Sequence, residues 1–378
     1  MKVVSVVGAR PQFIKAAPVS RAFRAAGHRE VLVHTGQHYD ERMSEIFFSE
    51  LEIPAADYNL GVGSGSHGLQ TGRMLMLLEE VLAGESPDWV LVYGDTNSTL
   101  AAALAAVKLQ IPLAHLEAGL RSYNRAMPEE HNRVLTDHCS DMLLCPTRTA
   151  VDNLAREGIT RAVHLVGDTM YDALLQHSQV AGQLSNILDR EGLLSKGYLL
   201  ATVHRPYNTE NPEALRDIVL ALEEIGDLVI FPVHPRTRKR ISELDGLAAL
   251  ATSLSHVRMI EPVGYLDMLT LEQNARLILT DSGGMQKEAY FFGVPCITLR
   301  PETEWVETVE TGRNVLVGAN RRRIVEAASV DYGSHTGSPP LFGDGRASYS
   351  VVRLLEDGGP IVGHESDDRT SMRMVRVS

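Results

Sequence analysis

The stretch WVLVYGDTNSTLAAALAAVKL, residues 89–109, contains the pattern that decides the fold. Its first five residues are apolar without alternation, which is typical of a strand buried on both faces of a parallel sheet. The polar loop GDTNS follows, and the Ala- and Leu-rich run after it has a high helix propensity. Strand, loop and helix in this order form the repeating unit of an α/β fold.

The same unit recurs on both sides of this stretch. In the first half, further strands are predicted at residues 3–7, 31–34 and 112–115, with a helix over 13–26. In the second half, strands are predicted at residues 198–202, 228–231, 276–279 and 295–298. We therefore predict an α/β protein with two doubly wound, Rossmann-like domains that face a central cleft.

The predicted domain boundaries follow changes in composition. We expect an N-terminal domain over residues 1–170 and a second domain over 171–345, with residues 180–196 as a polar to amphipathic connector. Residues 333–345 are rich in Gly, Pro and Ser, and a helix over 346–356 is expected to return to the first domain. Residues 357–378 contain few apolar residues, which predicts a flexible tail.

Composition excludes several classes of protein. The chain has 378 residues, of which 44% are hydrophobic and 22% charged, as in ordinary globular proteins. A net charge of −12 disfavours nucleic acid and anionic membranes as partners. The three cysteines form no CxxC pair, no apolar run is long enough to span a membrane, and the N-terminus does not resemble a signal peptide. A cytoplasmic protein is therefore expected.

Polar residues cluster where the predicted strands end. Ligands of open α/β sheets bind beyond the carboxyl ends of the strands. One polar strand end is ordinary capping, but this many in both halves indicates a site between two domains. In the first half they are Arg10, Lys15, Gln37, His38, Asp95, Glu117, Arg121, Glu129, Glu130 and Arg133. In the second half they are His204, His234, Ser282 and Glu288.

The segment DSGG, residues 281–284, predicts a seat for a diphosphate. Gly283 and Gly284 would let the backbone approach a ligand, and the following helix N-terminus offers free N–H groups. Ser282 could donate its hydroxyl, and Glu288, one turn further on, could accept hydrogen bonds from a ribose. The alternative is a plain helix N-cap followed by a tight turn.

Two other patterns do not support a cofactor or a metal. Gly63, Gly65 and Gly68 match GxGxxG, but no suitable strand precedes them and no acidic residue follows at the required distance. We therefore reject a nicotinamide enzyme. His34 and His38 are four residues apart, but no ligand grouping typical of a metal site accompanies them.

Taken together, the motifs resemble those of the non-hydrolysing UDP-N-acetylglucosamine 2-epimerases over residues 1–350. The segments that carry the resemblance are GARPQFIK, HTGQH, YGDTNSTLA, AHLEAGLRS, PEEHNR, VGDTMYDA, TVHRP, FPVHPRT, LTDSGGMQKEA and FGDGRAS. The resemblance implies a fold of the glycosyltransferase-B type with UDP held mostly by the second domain. It also implies a homodimer and the use of neither a metal nor another cofactor.

The reaction implied by the resemblance interconverts UDP-N-acetylglucosamine and UDP-N-acetylmannosamine. UDP is eliminated across C1–C2 to leave 2-acetamidoglucal and is added back after protonation of the opposite face of C2. The residues that match the family's catalytic groups are Asp95, Glu117, Glu129 and His204. Those that match or neighbour its substrate and UDP contacts are Arg10, Lys15, Gln37, His38, Arg125, Arg133, His234, Ser282, Gly283, Gly284 and Glu288. A carboxyl group that acts as an acid would need a pKa raised by burial or by a second carboxylate.

This chain departs from the family pattern at several positions. Gln12 and Trp305 replace the glutamate of GTRPE and the arginine of TERPE, and Asp40 replaces a glutamine. The loop from Glu117 to Glu129 is shorter and contains Arg125. These features resemble a branch that acts on UDP-2,3-diacetamido-2,3-dideoxyglucuronic acid, so Arg125 could pair with the uronate. The alternative is a solvated loop arginine.

Three other functions compete with these. A glycosyltransferase of the same architecture would release UDP and need an acceptor, whereas a hydrolysing epimerase would yield the free sugar and UDP. A non-catalytic UDP-sugar sensor would tolerate Asp95→Asn and Glu117→Gln. The segments PEEHNR and GDTNST favour an epimerase.

Overall fold

The computed structural model describes residues 1–37, 55–244, 254–333 and 340–358, and the side chains of all of these except Arg10 and Arg236. His38, Asp40 and most of the predicted tail lie outside the described residues.

Strands and helices alternate through the first half of the chain. They are β1 (Lys2–Val7), α1 (Arg10–Ala25), β2 (Arg29–His34), β3 (Tyr58–Asn59), α2 (His67–Glu85), β4 (Trp89–Tyr93), α3 (Asn97–Lys108), β5 (Leu113–Leu116), α4 (Pro128–Cys139), β6 (Met142–Cys145), α5 (Arg148–Arg156), β7 (Val163–Leu165), α6 (Thr169–Leu184) and α7 (Ile187–Glu191).

The second half repeats the alternation. Its elements are β8 (Leu199–Thr202), α8 (Pro206–Thr209), α9 (Pro212–Glu224), β9 (Val229–Pro232), α10 (Pro235–Glu243), β10 (Val257–Ile260), α11 (Tyr265–Asn274), β11 (Leu277–Thr280), α12 (Gly283–Phe291), β12 (Cys296–Thr298), α13 (Val306–Glu310), β13 (Asn314–Leu316), α14 (Arg321–Ala328) and α15 (Ala347–Asp357).

The strands form two parallel sheets, one in each half. The first has seven strands in the order β3-β2-β1-β4-β5-β6-β7, and the second has six in the order β10-β9-β8-β11-β12-β13. In each sheet the strand order reverses beside the first strand of the half, which is the doubly wound topology. The predicted α/β fold class is confirmed.

Sequence analysis missed five strands, namely β3, β6, β7, β10 and β13. All of them are short, from two to four residues, and each lies at or next to the edge of its sheet. Short runs without a long apolar core carry little periodic signal, so their pairing is determined by neighbours that are distant in sequence.

Helices connect the two halves at two places. The predicted connector, residues 180–196, contains the end of α6 and all of α7. Helix α6 contacts both α1 and α11, so it packs against elements from each half. The last described helix, α15, contacts α1 and α6, and the amides of Ala347 and Ser348 donate to the buried carboxylate of Asp172 on α6.

The loops after β1, β2 and β4 meet at one point. A Cβ at Gly8 would collide with the hydroxyl oxygens of Thr35 and Ser98, so only glycine fits there. Gln37 and Asp95 lie on these loops and Lys15 lies on α1, so all three are near one edge of the first sheet. In the described part of the chain, no helix is both long and apolar enough to cross a bilayer. Cys139, Cys145 and Cys296 are all free thiols.

Candidate active site

Glu117 follows β5 and is buried between two lysines from different halves of the chain. Lys15 on α1 donates to its Oε2 atom, and the Nζ atom of Lys287 on α12 lies 3.1 Å from its Oε1 atom. The backbone φ of Glu117 is 74°, a conformation that non-glycine residues seldom adopt. Such strain is retained where the surroundings hold the residue in place, and here it accompanies two ion pairs.

The charge of Glu117 is set by these lysines. Burial alone would raise the pKa of Glu117, but the positive charges and hydrogen bonds of Lys15 and Lys287 outweigh it and lower the pKa to about 2. Glu117 is therefore ionised at neutral pH in this arrangement. It is suited to accept a proton or to stabilise positive charge, and not to donate a proton at the start of a reaction.

Asp95 follows β4 and is held by the helix that contains PEEHNR. The guanidinium of Arg133 on α4 pairs with its carboxylate, and the side-chain amide of Asn132 donates to its backbone carbonyl at 2.9 Å. The Asp95 side chain is 30% exposed, whereas that of Arg133 is 4% exposed. Arg133 thus orients a carboxylate that still faces solvent.

The two neighbouring glutamates of α4 have different environments. Glu130 is buried and accepts hydrogen bonds from the amides of Ser122 and Tyr123, each at 2.9 Å, and it pairs with Arg133 at 3.0 Å. Glu129 is half-buried. Within the described ranges, its carboxylate has neither a hydrogen bond nor an ion pair. Glu130 therefore fastens the loop at Ser122 and Tyr123 to α4, while the carboxylate of Glu129 is available to a substrate.

Asp137 joins the loops that carry Asp95 and Glu117. Its Oδ1 atom lies 2.7 Å from Nδ1 of His115, and the Nε2 atom of the same ring lies 2.7 Å from the carbonyl oxygen of Gly94. Asp137 also accepts from the amide of Gly119 and from Arg121. Burial would raise the pKa of Asp137, but His115 and Arg121 together lower it. Sequence analysis missed Asp137, although its spacing places it one turn from Arg133.

In the second half, Asp281 organises the loop after β8. Its carboxylate is fully buried and accepts from the amides of His204 and Arg205 and from the side chain of Asn208, at 3.0–3.2 Å. The Nδ1 atom of His204 lies 3.3 Å from Asp281, while its side chain is 44% exposed. Asp281 therefore presents the imidazole of His204 at the carboxyl end of the sheet.

Ser282 is the N-cap of α12, which both interpretations of DSGG require. The Ser282 hydroxyl accepts from the amide of Met285 at 3.4 Å and still has its own hydrogen to donate. A Cβ at Gly283 would lie 2.5 Å from Oε1 of Glu304, so a side chain of this protein occupies the space that the glycine leaves. Gly284 is partly exposed and lies beside Met170. Of the two glycines, Gly284 is the one open to a ligand.

Residues 21–356 match the family model described as UDP-N-acetylglucosamine 2-epimerase. The chain belongs to the UDP-N-acetylglucosamine 2-epimerase family. As a member of this family it is an isomerase, which confirms the predicted enzyme class and the resemblance.

Two curated relatives and one solved structure illustrate the similarity to this epimerase family. A UDP-N-acetylglucosamine 2-epimerase homolog of Methanococcus maripaludis is 53% identical over 94% of this chain and 100% of its own length. The UDP-2,3-diacetamido-2,3-dideoxy-D-glucuronate 2-epimerase of Pseudomonas aeruginosa is 51% identical over 94% and 99%. A crystal structure of the Methanocaldococcus jannaschii UDP-GlcNAc 2-epimerase with UDP-GlcNAc and UDP has a TM-score of 0.88 and 47% identity, and covers 95% of this chain and 100% of that one. The predicted glycosyltransferase-B type of fold is confirmed with it.

The structure places the other predicted site residues as follows. Gln37 accepts from the amide and hydroxyl of Ser98, at 3.0 and 2.7 Å. Glu288 is buried and accepts from the hydroxyl of Tyr265 at 3.4 Å. His234 and Arg125 are exposed. Of Arg10 only the backbone is described, and His38 lies outside the described residues.

Sequence reasoning missed a cluster at the junction of the two halves. Lys287 is 1% exposed and contacts Asp168 as well as Glu117. The ring of Trp305, which is also buried, lies 4.0 Å from the Lys287 ammonium. The only signal in the sequence is a lysine near the start of helix α12, between Gln286 and Glu288.

Proposed function

We propose that the protein catalyses the 2-epimerisation of UDP-N-acetylglucosamine to UDP-N-acetylmannosamine. The observation that carries the proposal is the ionised carboxylate of Glu117, which lies at the junction of the two halves, with Asp95 on the loop after β4 and Glu129 in the first turn of α4. Relatives that are 46% identical over at least 94% of this chain have the name UDP-N-acetylglucosamine 2-epimerase. Three carboxylates suit a reaction in which positive charge develops on the sugar ring.

The chemistry of the substrate explains the need for these groups. C2 of the sugar has no adjacent carbonyl, so its proton is acidified only as the C1–O bond breaks and the ring acquires oxocarbenium character. One group removes the C2 proton, UDP leaves, and a second group protonates the opposite face of the glycal before UDP returns. We assign these proton transfers to Asp95, Glu117 and Glu129, among which Glu117 starts ionised.

The second half is proposed to bind UDP. His204 would lie near the diphosphate, where a cation stabilises the leaving group, and the Ser282 hydroxyl with Gly284 would contact its oxygens. Glu288 would accept hydrogen bonds from the ribose. We also assign to substrate or UDP binding the residues Arg10, Lys15, Gln37, His38 and His234. Two of them, Lys15 and Gln37, also have the internal partners described above.

A second substrate is favoured by specific observations. The Pseudomonas aeruginosa relative named for the diacetamido uronate is 51% identical, and this chain has Trp305 where the resemblance predicts an arginine. Arg125 is exposed on the loop before α4, and Asn124 beside it donates to Glu302 of the other half at 2.5 Å. Arg125 therefore lies near the junction, where it could meet a uronate carboxylate.

One experiment separates the two substrates. The purified protein is incubated in D₂O with each UDP-sugar, and proton NMR follows the anomeric signal of the 2-epimer and the loss of the C2 proton. Turnover of UDP-N-acetylglucosamine supports the proposal. No exchange with that sugar, together with exchange of the uronate, would transfer the assignment to the uronate, and release of free sugar would indicate a hydrolysing enzyme.

We also propose that the protein is a homodimer. Helices α2, α3 and α4 contact one another in that order and expose large apolar side chains, namely Leu69 and Met76 on α2, Val107 on α3 and Leu135 on α4. Apolar side chains exposed on three adjacent helices are typical of a surface that a second copy covers. Light scattering with size-exclusion chromatography should give a dimer mass for the wild type and a monomer mass for Met76→Lys.

A further inference from the structure

Lys287 is a buried charge from the second half that reaches the catalytic carboxylate of the first. It lies one turn into α12, and its side chain is 1% exposed. Its Nζ atom contacts Oε1 of Glu117 at 3.1 Å and also pairs with Asp168, the N-cap of α6. Removing an ammonium group from water is costly, so a buried lysine needs partners of this kind.

The two oxygens of Glu117 have separate partners. Lys15, from the same half of the chain, holds Oε2, whereas Lys287, from the opposite half, holds Oε1. Two contacts on two oxygens fix the rotation of the carboxylate as well as its position. Lys15 alone would leave that rotation undetermined, so the orientation of Glu117 depends on the placement of α12.

Trp305 explains how the lysine is accommodated. The Lys287 ammonium lies over the indole ring at 4.0 Å from its centre, an attractive cation–π arrangement. The resemblance predicts an arginine at position 305, and a second cation so close to Lys287 would be repelled. Tryptophan at 305 and lysine at 287 are therefore physically compatible as a pair.

We propose that Lys287 is a positioning residue that keeps Glu117 ionised and oriented for proton transfer, so that Glu117 is competent only when the two halves of the protein are aligned. Only the expected effect on turnover rests on the proposed function. The charged groups that face Glu117 in the described structure are Lys15 from α1 and Lys287 from α12, with Asp168 behind Lys287.

The lowered pKa of Glu117 agrees with this geometry. Burial by itself raises the pKa, and the attraction of Lys15 and Lys287 brings it down to about 2. Loss of Lys287 removes one of two compensating charges while the burial persists. The pKa of Glu117 should then rise, and turnover at low pH should fall as Glu117 takes up a proton.

The test compares Lys287→Met with Lys287→Arg, and Lys239→Met, an exposed lysine of α10, is the matched control. We expect Lys287→Met to lower kcat by about 100-fold with little change in KM, and to move the acidic limb of the kcat profile upward by about one pH unit or more. Lys287→Arg should recover part of kcat, and Lys239→Met should match the wild type. An acidic limb that does not move in Lys287→Met would overturn the proposal.

A second measurement does not depend on turnover. The side-chain carboxyl signal of Glu117, assigned by its absence in Glu117→Gln, is followed by ¹³C NMR as the pH is lowered. It should titrate at higher pH in Lys287→Met than in the wild type, and equal titration would contradict the proposal even if neither UDP-sugar is a substrate. If Lys287→Met does not fold, Lys287→Met with Asp168→Asn, which removes one charge of each sign, provides the same comparison.

Discussion

The side-chain amide of Gln12 donates a 2.6 Å hydrogen bond to the carbonyl oxygen of Tyr93. The Nε2 atom of Gln12 also lies 3.0 Å from the hydroxyl oxygen of Thr96, and its Oε1 atom accepts from the backbone amide of Gly8 at 2.7 Å. Gln12 therefore fastens the β1–α1 loop to the loop that carries Asp95. A glutamate, which the resemblance predicts at this position, could accept from Gly8 but could not donate to Tyr93.

Gln12→Glu should accordingly destabilise the protein and slow turnover. Its second carboxylate oxygen would face the Tyr93 carbonyl, and we expect a loss of about 2 kcal/mol in the free energy of unfolding. Urea unfolding and the NMR epimerase assay measure the two effects. Gln183→Glu, at an exposed position of α6, is the control and should leave both unchanged. Equal stability of Gln12→Glu and the wild type would show that the Tyr93 contact is dispensable.

Glu129→Gln and Glu130→Gln should separate chemistry from structure. Glu129 has no internal partner in the described ranges, so its substitution should lower kcat by about 10²-fold or more and leave the free energy of unfolding within about 0.5 kcal/mol. Glu130 holds two backbone amides and Arg133, so its substitution should cost about 1–3 kcal/mol of stability. Kinetics and urea unfolding on the same samples make the comparison. The assignment fails if Glu129→Gln retains full activity.

Asp137→Asn should be among the most destabilising single changes in the first half. The carboxylate is buried between His115 and Arg121, and its loss leaves the Arg121 guanidinium without its buried counter-charge and His115 without its carboxylate partner, at a cost of about 3–5 kcal/mol. Glu157→Gln is the control, because Glu157 pairs with the same Arg121 but is 27% exposed, and it should cost less than about 1 kcal/mol. Similar unfolding midpoints for the two variants would contradict this account.

His177 should make stability depend on mildly acidic pH. Burial, with a smaller effect from Arg21, lowers the pKa of His177 from 6.5 to about 4. As the pH falls, His177 therefore takes up a proton near pH 6.5 in the unfolded chain but only near pH 4 in the folded protein. The free energy of unfolding has its full value above pH 6.5 and decreases as the pH falls from 6.5 to 4. The loss from this residue is about 2 kcal/mol at pH 5.

His177→Phe tests this dependence while keeping an aromatic ring against Tyr265, the neighbour of His177. The difference in unfolding free energy between pH 7.5 and pH 5 should shrink by about 2 kcal/mol relative to the wild type. His138→Asn, at a half-exposed histidine, should leave that difference unchanged. If His177→Phe keeps the pH dependence of the wild-type unfolding free energy, that dependence arises from other groups.

Arg125→Ala tests the choice of substrate. If Arg125 pairs with a uronate, its loss should reduce kcat/KM for the diacetamido uronate by about 10–100-fold and leave UDP-N-acetylglucosamine nearly unaffected. Arg148→Ala, another exposed arginine, should change neither value. If Arg125→Ala changes kcat/KM equally for both sugars, Arg125 is a solvated loop residue and does not pair with the uronate.

Local patterns predicted the framework of the fold. The strand over residues 89–93 is observed with the predicted bounds, and those at 3–7 and 31–34 begin one and two residues earlier than predicted. Continuous apolar runs followed by Gly, Asp or Ser carry this information because burial on both faces and turn chemistry act over a few residues. Strands such as β7 and β13, with three residues each, lack that signal.

The candidate site was predictable only in part, and for the same reason. Strand ends indicated Asp95, Glu117 and His204 without a structure, because parallel strands bring their carboxyl ends to one edge. Glu129 was chosen over Glu130 only through the resemblance of PEEHNR to the family motif. The division of labour between Glu129 and Glu130 was not readable, since it depends on which glutamate meets the amides of Ser122 and Tyr123.

By itself, the sequence determined the α/β alternation, the two doubly wound halves and the strand ends that carry polar side chains, because each is encoded within one strand–loop–helix unit. Only the tertiary structure decided that Lys287 meets Glu117, 170 residues earlier in the chain, and that Asp137 joins two loops through His115. The charge of a buried carboxylate depends on the cations that folding places around it, and those contacts have no local pattern in the chain.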